Sequence, residues 1–225
     1  MAVILSQILS PAELAGLQRE LAAANWADGS DTAGPQARSV KVNKQLGPED
    51  PVAKRGAALI TQALARHTGF LAAALPRRHT QPMFSRYDPG ESYGMHIDNA
   101  LRMNGPDRLR TDLAATLFLS DPASYDGGEL TIETGLGTPS IKLPAGQMIL
   151  YPATTRHRVA PVTRGTRMAA ILWVQSMVRD NEQRELLLDL DRTTQTISGQ
   201  LGANNPQVVA LTGTYHNLLR LWLDA

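Results

Sequence analysis

The sequence predicts an α+β protein with a mainly β core, a double-stranded β-helix (jelly roll). Residues 79–177 form a succession of short strand-like runs, divided by Gly, Pro and Asp turns. This pattern is typical of an antiparallel barrel built from two sheets. Before and after this region, apolar side chains recur at helical spacing and helix start signals are present. The predicted barrel is therefore flanked by N-terminal helices and a C-terminal helical extension.

The N-terminal region, residues 1–78, contains two predicted helices and an edge strand. Ser10-Pro11-Ala12-Glu13 combines an N-cap, a proline at the first helical position and a capping-box glutamate. Pro51 opens the second helix. Residues 27–39 predict a loop and residues 39–43 an edge strand. We expect this region to pack on the outside of the barrel.

The central region, residues 79–177, contains eight predicted strands, the number that a double-stranded β-helix requires. They cover residues 82–87, 92–96, 113–119, 129–133, 141–143, 148–151, 157–162 and 168–176. The last region, 178–225, contains predicted helices over residues 181–196 and 208–223. Its expected role is packing, within the chain or between copies in a homo-oligomer.

The tripeptide His96-Ile97-Asp98 ends the second predicted strand. Successive side chains of a strand point to opposite faces, so His96 and Asp98 share one face. His157 begins a later strand and Arg167 lies where the next one opens. If folding brings His157 beside His96 and Asp98, two imidazoles and one carboxylate form the facial triad of non-heme iron(II) oxygenases.

Each of these residues also has a simpler interpretation. His96 and Asp98 fit a surface histidine and an Asx-turn aspartate. His157 fits a core histidine, and Arg167 fits the partner of a surface carboxylate. Their common position at strand ends favours the metal site.

Several segments resemble the PKHD-type hydroxylases, a bacterial branch of the iron(II) and 2-oxoglutarate dioxygenases related to prolyl 4-hydroxylases. The resemblance covers nearly the whole chain. It rests on residues 96–100, 110–113, 126–130, 151–152, 157, 161–165 and 178–180, and the run 151–176 is its most specific part. It implies a hydroxylase that uses Fe(2+), 2-oxoglutarate and O2, releases succinate and CO2, and takes L-ascorbate as reductant.

The resemblance also implies the roles of the site residues. His96, Asp98 and His157 would be the catalytic metal ligands. Arg167 would hold the distal carboxylate of 2-oxoglutarate, since the planar fork of arginine suits a carboxylate. Tyr87, on the strand before His96, would add a hydroxyl hydrogen bond to the same carboxylate.

The composition fits one catalytic domain with appendages. The chain has 225 residues, 43% hydrophobic, and a formal net charge of +1 from 22 basic and 21 acidic side chains. This balance provides no field that would attract nucleic acid or an anionic membrane. The chain has no cysteine, which fits a reducing compartment. With no basic signal-peptide start and no run near the ~20 apolar residues of a membrane span, we expect a cytoplasmic protein.

The substrate is the part that the sequence leaves open. A peptide or a small molecule fits the resemblance, and the alternatives are a nucleic-acid or metabolite demethylase of the same chemistry or a non-enzymatic ligand-binding barrel. Residues 99–112 predict a loop that carries Arg102, Arg108 and Arg110. The loop is either simply solvated or a lid whose cations select an acidic or carboxylated substrate.

Overall fold

Two antiparallel sheets form the centre of the molecule. The computed structural model describes residues 2–30, 38–104, 107–135 and 137–224. Within them lie an eight-stranded sheet, a five-stranded sheet and two separate two-stranded ribbons. Apolar side chains of both sheets meet in one inner cluster, and the N-terminal helices cover the outer face of the larger sheet. The predicted fold class is confirmed.

In chain order the strands are β1 (Val3–Leu5), β2 (Ala27–Asp28), β3 (Lys41–Val42), β4 (Lys44–Gln45), β5 (Pro76–His79), β6 (Met83–Tyr87), β7 (Ser92–His96), β8 (Leu101–Asn104), β9 (Asp107–Arg110), β10 (Leu113–Phe118), β11 (Asp126–Gly127), β12 (Leu130–Ile132), β13 (Ser140–Ile141), β14 (Met148–Pro152), β15 (His157–Val159), β16 (Val162–Arg164) and β17 (Arg167–Ser176). The larger sheet has the strand order β1-β14-β10-β17-β6-β4-β2, with β5 also paired to β17, and the smaller sheet has the order β13-β12-β15-β7-β3. The ribbons are β8–β9 and β11–β16.

Five α-helices lie in the described part of the chain, and a short 3-10 helix covers Pro122–Ser124. The α-helices are α1 (Pro11–Ala22), α2 (Pro51–Arg66), α3 (Thr68–Ala74), α4 (Asn181–Leu201) and α5 (Pro206–Trp222). The predicted capping box opens α1, where the Glu13 carboxylate accepts a hydrogen bond from the Ser10 backbone N–H at 2.8 Å. Among these helices, none has both the length and the apolar character to cross a membrane.

The larger sheet buries both faces because its central strands are apolar on both sides. Leu117 of β10 and Leu172 of β17 pack with Ile60 of α2 in the outer cluster. The next residue on each strand, Phe118 and Trp173, belongs to the inner cluster between the sheets. The alternation of side chains along a strand therefore separates the helix-covered core from the core that surrounds the site.

Several elements differ from their predicted form. The predicted loop 27–39 begins with β2, and its residues 31–37 lie outside the described part of the chain. Residues 99–112 contain the β8–β9 ribbon rather than a loop. The predicted strand 157–162 is divided into β15 and β16, because Pro161 between them has no N–H for sheet pairing. Helix α4 continues through Gly199 and stops at Gly202, whose φ of 86° does not fit a helix.

The N-terminal strands take part in both sheets. β1, β2, β4 and β5 belong to the larger sheet, and β3 forms an edge of the smaller one, as expected of an edge strand near residues 39–43. The division of the chain at residues 79 and 178 stays a prediction.

Candidate active site

The two histidines of the predicted metal site lie directly opposite each other on neighbouring strands. β7 ends at His96 and β15 begins at His157, and these residues are register partners in the antiparallel pair. Their ring centroids are 4.2 Å apart, and both residues are buried. Sheet pairing therefore brings together two imidazoles that are far apart in the sequence.

A β-bulge in β7 sets the direction of His96. Tyr93 pairs with Val159 and His96 with His157, so β7 has one more residue than β15 between these pairs. In a regular strand Tyr93 and His96 would face opposite sides, but here their rings stack with centroids 3.6 Å apart. Gly94 lies in the bulge, where a Cβ atom would come within 2.7 Å of Val40.

Backbone carbonyls orient both imidazoles. The Nδ1 atoms of His96 and His157 lie 2.8 Å from Gly94 O and 2.9 Å from Thr155 O. Because a carbonyl only accepts hydrogen bonds, each Nδ1 carries the proton and each Nε2 offers a lone pair. Burial, and then the neighbouring His157, lowers the pKa of His96. His96 is therefore neutral near pH 7, the form that binds a metal.

Asp98 completes the triad just after β7. One ligand atom from each of His96, Asp98 and His157 lies within 4.8 Å of the others. Asp98 Oδ2 is 3.9 Å from His157 Nε2, is buried, and has no hydrogen-bond partner among the described residues. A buried carboxylate oxygen without a partner is unfavourable, and a divalent cation would satisfy it. Two neutral nitrogens and one carboxylate fit iron(II).

Arg167 carries a second unsatisfied charge on the facing sheet. It is 1% exposed, and its Nε and Nη1 have no hydrogen-bond partner in the described parts of the chain. Its register partner on β6 is Tyr87, and its guanidinium lies 5.3 Å from the ring centroids of Tyr87 and Phe118. Because a buried guanidinium requires an anion, Arg167 is suited to a carboxylate that a ligand brings.

Two tyrosines lie beside Arg167 as neutral donors. Burial raises the pKa of Tyr87 to about 12, and burial also raises the pKa of Tyr125. Neither buried hydroxyl makes a hydrogen bond of normal geometry among the residues that the structure describes, although Asn43 lies close to Tyr87 and Arg167 close to Tyr125. Gly128, with a φ of 67°, leaves room for this arrangement, since a Cβ there would lie 3.0 Å from Arg167 Cδ.

The cavity around the triad contains more residues than the sequence prediction named. Its lining includes Tyr87 and Arg167 together with Tyr93, Arg102 and Trp173. Tyr93 and Trp173 had no predicted place there, whereas Arg102 was considered only as a cation of a possible lid. For Arg102 a signal exists, because it alternates with two apolar residues in 101–103 and such alternation predicts a strand.

Two other polar side chains lie outside the site. His67 caps α3, since its Nδ1 accepts from the Phe70 N–H at 3.0 Å. Arg164 pairs with the exposed carboxylate of Asp126 at 2.6 Å.

Comparison with known proteins agrees with this geometry. Residues 82–175 match the 2OG-Fe(II) oxygenase superfamily, and residues 181–224 match the PKHD-type hydroxylase C-terminal domain. A PKHD-type hydroxylase of Xanthomonas campestris pv. campestris strain B100 is 52% identical over 225 residues, 96% of each chain.

Two solved structures share the fold. One is a Pseudomonas putida prolyl-4-hydroxylase, with 19% identity, a TM-score of 0.53, and coverage of 78% of this chain and 92% of that chain. The other is a Trichoplax adhaerens prolyl hydroxylase in complex with a peptide fragment of the hypoxia inducible factor oxygen degradation domain. It has 18% identity, a TM-score of 0.56, and coverage of 82% and 86%.

The fold and the site define a 2-oxoglutarate and Fe(II) oxygenase, a class that uses Fe(2+), 2-oxoglutarate and O2. With about half of its residues identical to a relative over nearly the whole length, the chain belongs to the PKHD-type hydroxylases. The resemblance seen in the sequence is confirmed. The protein is a hydroxylase, which favours the enzyme over a non-enzymatic ligand-binding barrel.

Proposed function

We propose that His96, Asp98 and His157 bind the Fe(II) ion of this hydroxylase. We also propose that Arg167 and Tyr87 bind the distal carboxylate of 2-oxoglutarate. The observation that carries the proposal is the opposed histidine pair. Both Nδ1 atoms are engaged by carbonyls, and the Asp98 oxygen beside the pair has no partner among the described residues.

The protein's own residues prepare the site for a metal. The carbonyls of Gly94 and Thr155 hold the imidazoles in the ligating tautomer, so little reorganisation is required on binding. Three protein ligands on one side of the ion leave its other positions open. Leu130, Val159 and Ile171 add apolar surface to the cavity. When bound, Fe(II) and 2-oxoglutarate would supply, with O2 as oxidant, oxidative decarboxylation to succinate and CO2 coupled to hydroxylation of a substrate C–H bond.

Arg167 and Tyr87 complement each other toward a carboxylate. Arg167 offers parallel N–H groups in a buried setting, where charge-assisted hydrogen bonds are strong. Tyr87 keeps its proton at neutral pH, because burial raises its pKa to about 12, and it offers a neutral donor. Together the two residues would bind the distal carboxylate of 2-oxoglutarate with a single positive charge, that of Arg167.

The finer features of the function belong to the same proposal. The substrate is a peptidyl residue or a small molecule, and the Trichoplax adhaerens enzyme that shares the fold was solved with a peptide. L-ascorbate as reductant and a cytoplasmic location stay predictions.

A homo-oligomer through α4 and α5 is supported by exposed apolar side chains there, including Leu186, Val209 and Leu221. The net charge of +1 gives no support to the nucleic-acid demethylase alternative.

A turnover assay tests the proposal. Cell extract is incubated with the protein, Fe(II), 2-oxoglutarate and ascorbate, and succinate, O2 uptake and oxygen-addition products are measured. We expect all three with the wild type and none with His96→Ala or His157→Ala. His216→Ala, on α5, is the matched control and should behave as the wild type. Equal turnover by wild type and His96→Ala would contradict the assigned ligands, and loss of the products when ascorbate alone is omitted would support its role.

A further inference from the structure

Arg102 projects into the cavity from the β8–β9 ribbon. Its neighbours on β8, Leu101 and Met103, are 53% and 63% exposed, whereas Arg102 lines the cavity together with the triad. Alternation along the strand therefore directs Arg102 inward. Its guanidinium lies 3.4 Å from the centroid of the Trp173 ring.

Two donors at this point lack a partner within the described part of the chain. Arg102 Nε and Trp173 Nε1 are both buried without a hydrogen bond among the described residues. Burial lowers the pKa of Arg102, and the largest opposing influence is Asp98, a residue that the metal site uses. Stacking on an indole holds the guanidinium plane but leaves its N–H edge free. Buried donors without acceptors are unfavourable, so both donors indicate a ligand that supplies an acceptor.

The 2-oxoglutarate proposed for Arg167 has no free end for these donors. Arg167 and Trp173 are six residues apart on β17, with Cα atoms about 20 Å apart at ~3.3 Å per residue, and both side chains reach into the same cavity. A 2-oxoglutarate held at its distal carboxylate by Arg167 and at its other end by the metal would have both ends engaged. We therefore assign the acceptor for Arg102 and Trp173 to a different molecule.

The charges in the cavity favour an anion. Iron(II) and the two carboxylates of 2-oxoglutarate cancel, and Asp98 balances Arg167. This leaves Arg102 without a balancing carboxylate in the cavity lining. Lys41 also lines this cavity, and its ammonium group adds positive charge there. Its Nζ donates to Gly29 O at 2.7 Å.

We infer that Arg102 and Trp173 receive a carboxylate of the primary substrate, so that the enzyme hydroxylates an organic acid or an acidic peptide. The guanidinium of Arg102 would donate side-on to the carboxylate, with Trp173 Nε1 as a further donor. This inference rests on the proposed function, because it assigns Arg167 to 2-oxoglutarate.

Calorimetric titration with shape-matched probes tests the inference. The wild-type protein, saturated with Mn(II) and 2-oxoglutarate, is titrated with hexanoate, hexanamide and hexyl phosphate. We expect hexanoate to bind about tenfold or more tightly than hexanamide, as for one or two charge-assisted hydrogen bonds. Hexanoate should not displace 2-oxoglutarate.

Variants identify the residue responsible. Arg102→Gln should abolish the preference for hexanoate, Arg102→Lys should retain part of it, and Trp173→Phe should weaken it. Arg108→Gln removes the same charge from an exposed position of the same ribbon and should retain the preference fully.

Several outcomes would overturn the inference. The first is equal affinity of the wild type for hexanoate and hexanamide, and the second is a loss of the hexanoate preference in Arg108→Gln as large as in Arg102→Gln. The others are tighter binding of hexyl phosphate than of hexanoate, and displacement of 2-oxoglutarate by hexanoate. Failure of the proposed function is seen separately, as absent binding of Mn(II) or 2-oxoglutarate to the wild type. In that case the comparison of acid and amide on the metal-free protein still tests Arg102.

Discussion

Replacement of Arg167 should separate co-substrate binding from metal binding. Arg167→Ala would remove the two charge-assisted hydrogen bonds proposed to the distal carboxylate, so the 2-oxoglutarate concentration for half-maximal succinate formation should rise about 100-fold. Mn(II) affinity, measured by calorimetry, should stay unchanged. Arg164→Ala, which removes an exposed pair with Asp126, serves as the control. An unchanged 2-oxoglutarate requirement in Arg167→Ala would refute the assigned role.

His96 makes the stability of the metal-free protein depend on pH. Burial lowers its pKa in the folded protein, whereas in the unfolded chain it titrates near ~6.5. As the pH falls below that value, the unfolded chain binds the proton first, so folding loses stability; above it His96 contributes no pH dependence.

Urea unfolding of the metal-free protein at pH 7 and pH 5 measures this effect. From pH 7 to pH 5, the free energy of unfolding of the wild type should fall by about 2 kcal/mol more than that of His96→Asn. Equal losses by both proteins would mean that His96 keeps its ordinary affinity for protons in the folded state.

At the scale of elements, the turn after β11 determines the position of Arg167. Gly128→Ala places a Cβ 3.0 Å from Arg167 Cδ, on a backbone with a φ of 67°. We expect a loss of about 1 to 3 kcal/mol in unfolding free energy and a higher 2-oxoglutarate requirement. Gly135→Ala, where a Cβ meets nothing within 4 Å, should change neither quantity. A normal co-substrate requirement in Gly128→Ala would show that Arg167 tolerates the displacement.

The sequence was sufficient to predict elements with strong local signals. The capping box predicted the start of α1, and the alternation of His96 and Asp98 predicted that both belong to one site. Ligand atoms of His96 and Asp98 do lie within 4.8 Å of one another, although β7 is not regular. The bulge at Gly94 involves contacts with β3 and β15, and such contacts between distant segments leave no periodic signal in the sequence.

The β8–β9 ribbon was missed for a different reason. Its segment is polar and contains Asn, Gly, Pro and Asp, which predict a turn. Leu109 of this ribbon is buried in the inner cluster, and Arg102 stacks on Trp173. The ribbon is therefore stabilised by tertiary contacts that outweigh its local composition.

At the scale of the whole molecule, Asp112 joins the barrel to the ribbon. Its side chain accepts from Arg110 Nε at 2.7 Å and from the Ser176 N–H at 2.9 Å. Arg110 also pairs with Asp224 near the end of the chain, at 2.9 Å. One arginine therefore links the ribbon, the barrel and the segment that follows α5.

The two carboxylates should contribute unequally to stability. Asp112 is 6% exposed and Asp224 is 40% exposed in their side chains. Asp112→Asn weakens buried, charge-assisted hydrogen bonds and should cost about 2 kcal/mol, whereas Asp224→Asn should cost less than about 1 kcal/mol. Thermal and urea unfolding of the two variants measure the difference. A similar cost for both would show that the Asp112 network is not what joins the ribbon to the barrel.

The position of His96 directly opposite His157 has a consequence for how the protein acquires its native form. A slip of one residue between β7 and β15 would turn one imidazole to the other face of the sheet. If both histidines bind the metal as proposed, only chains with the native register gain the binding free energy. Metal uptake would then stabilise correctly paired chains selectively, while mispaired chains stay free to unfold and refold.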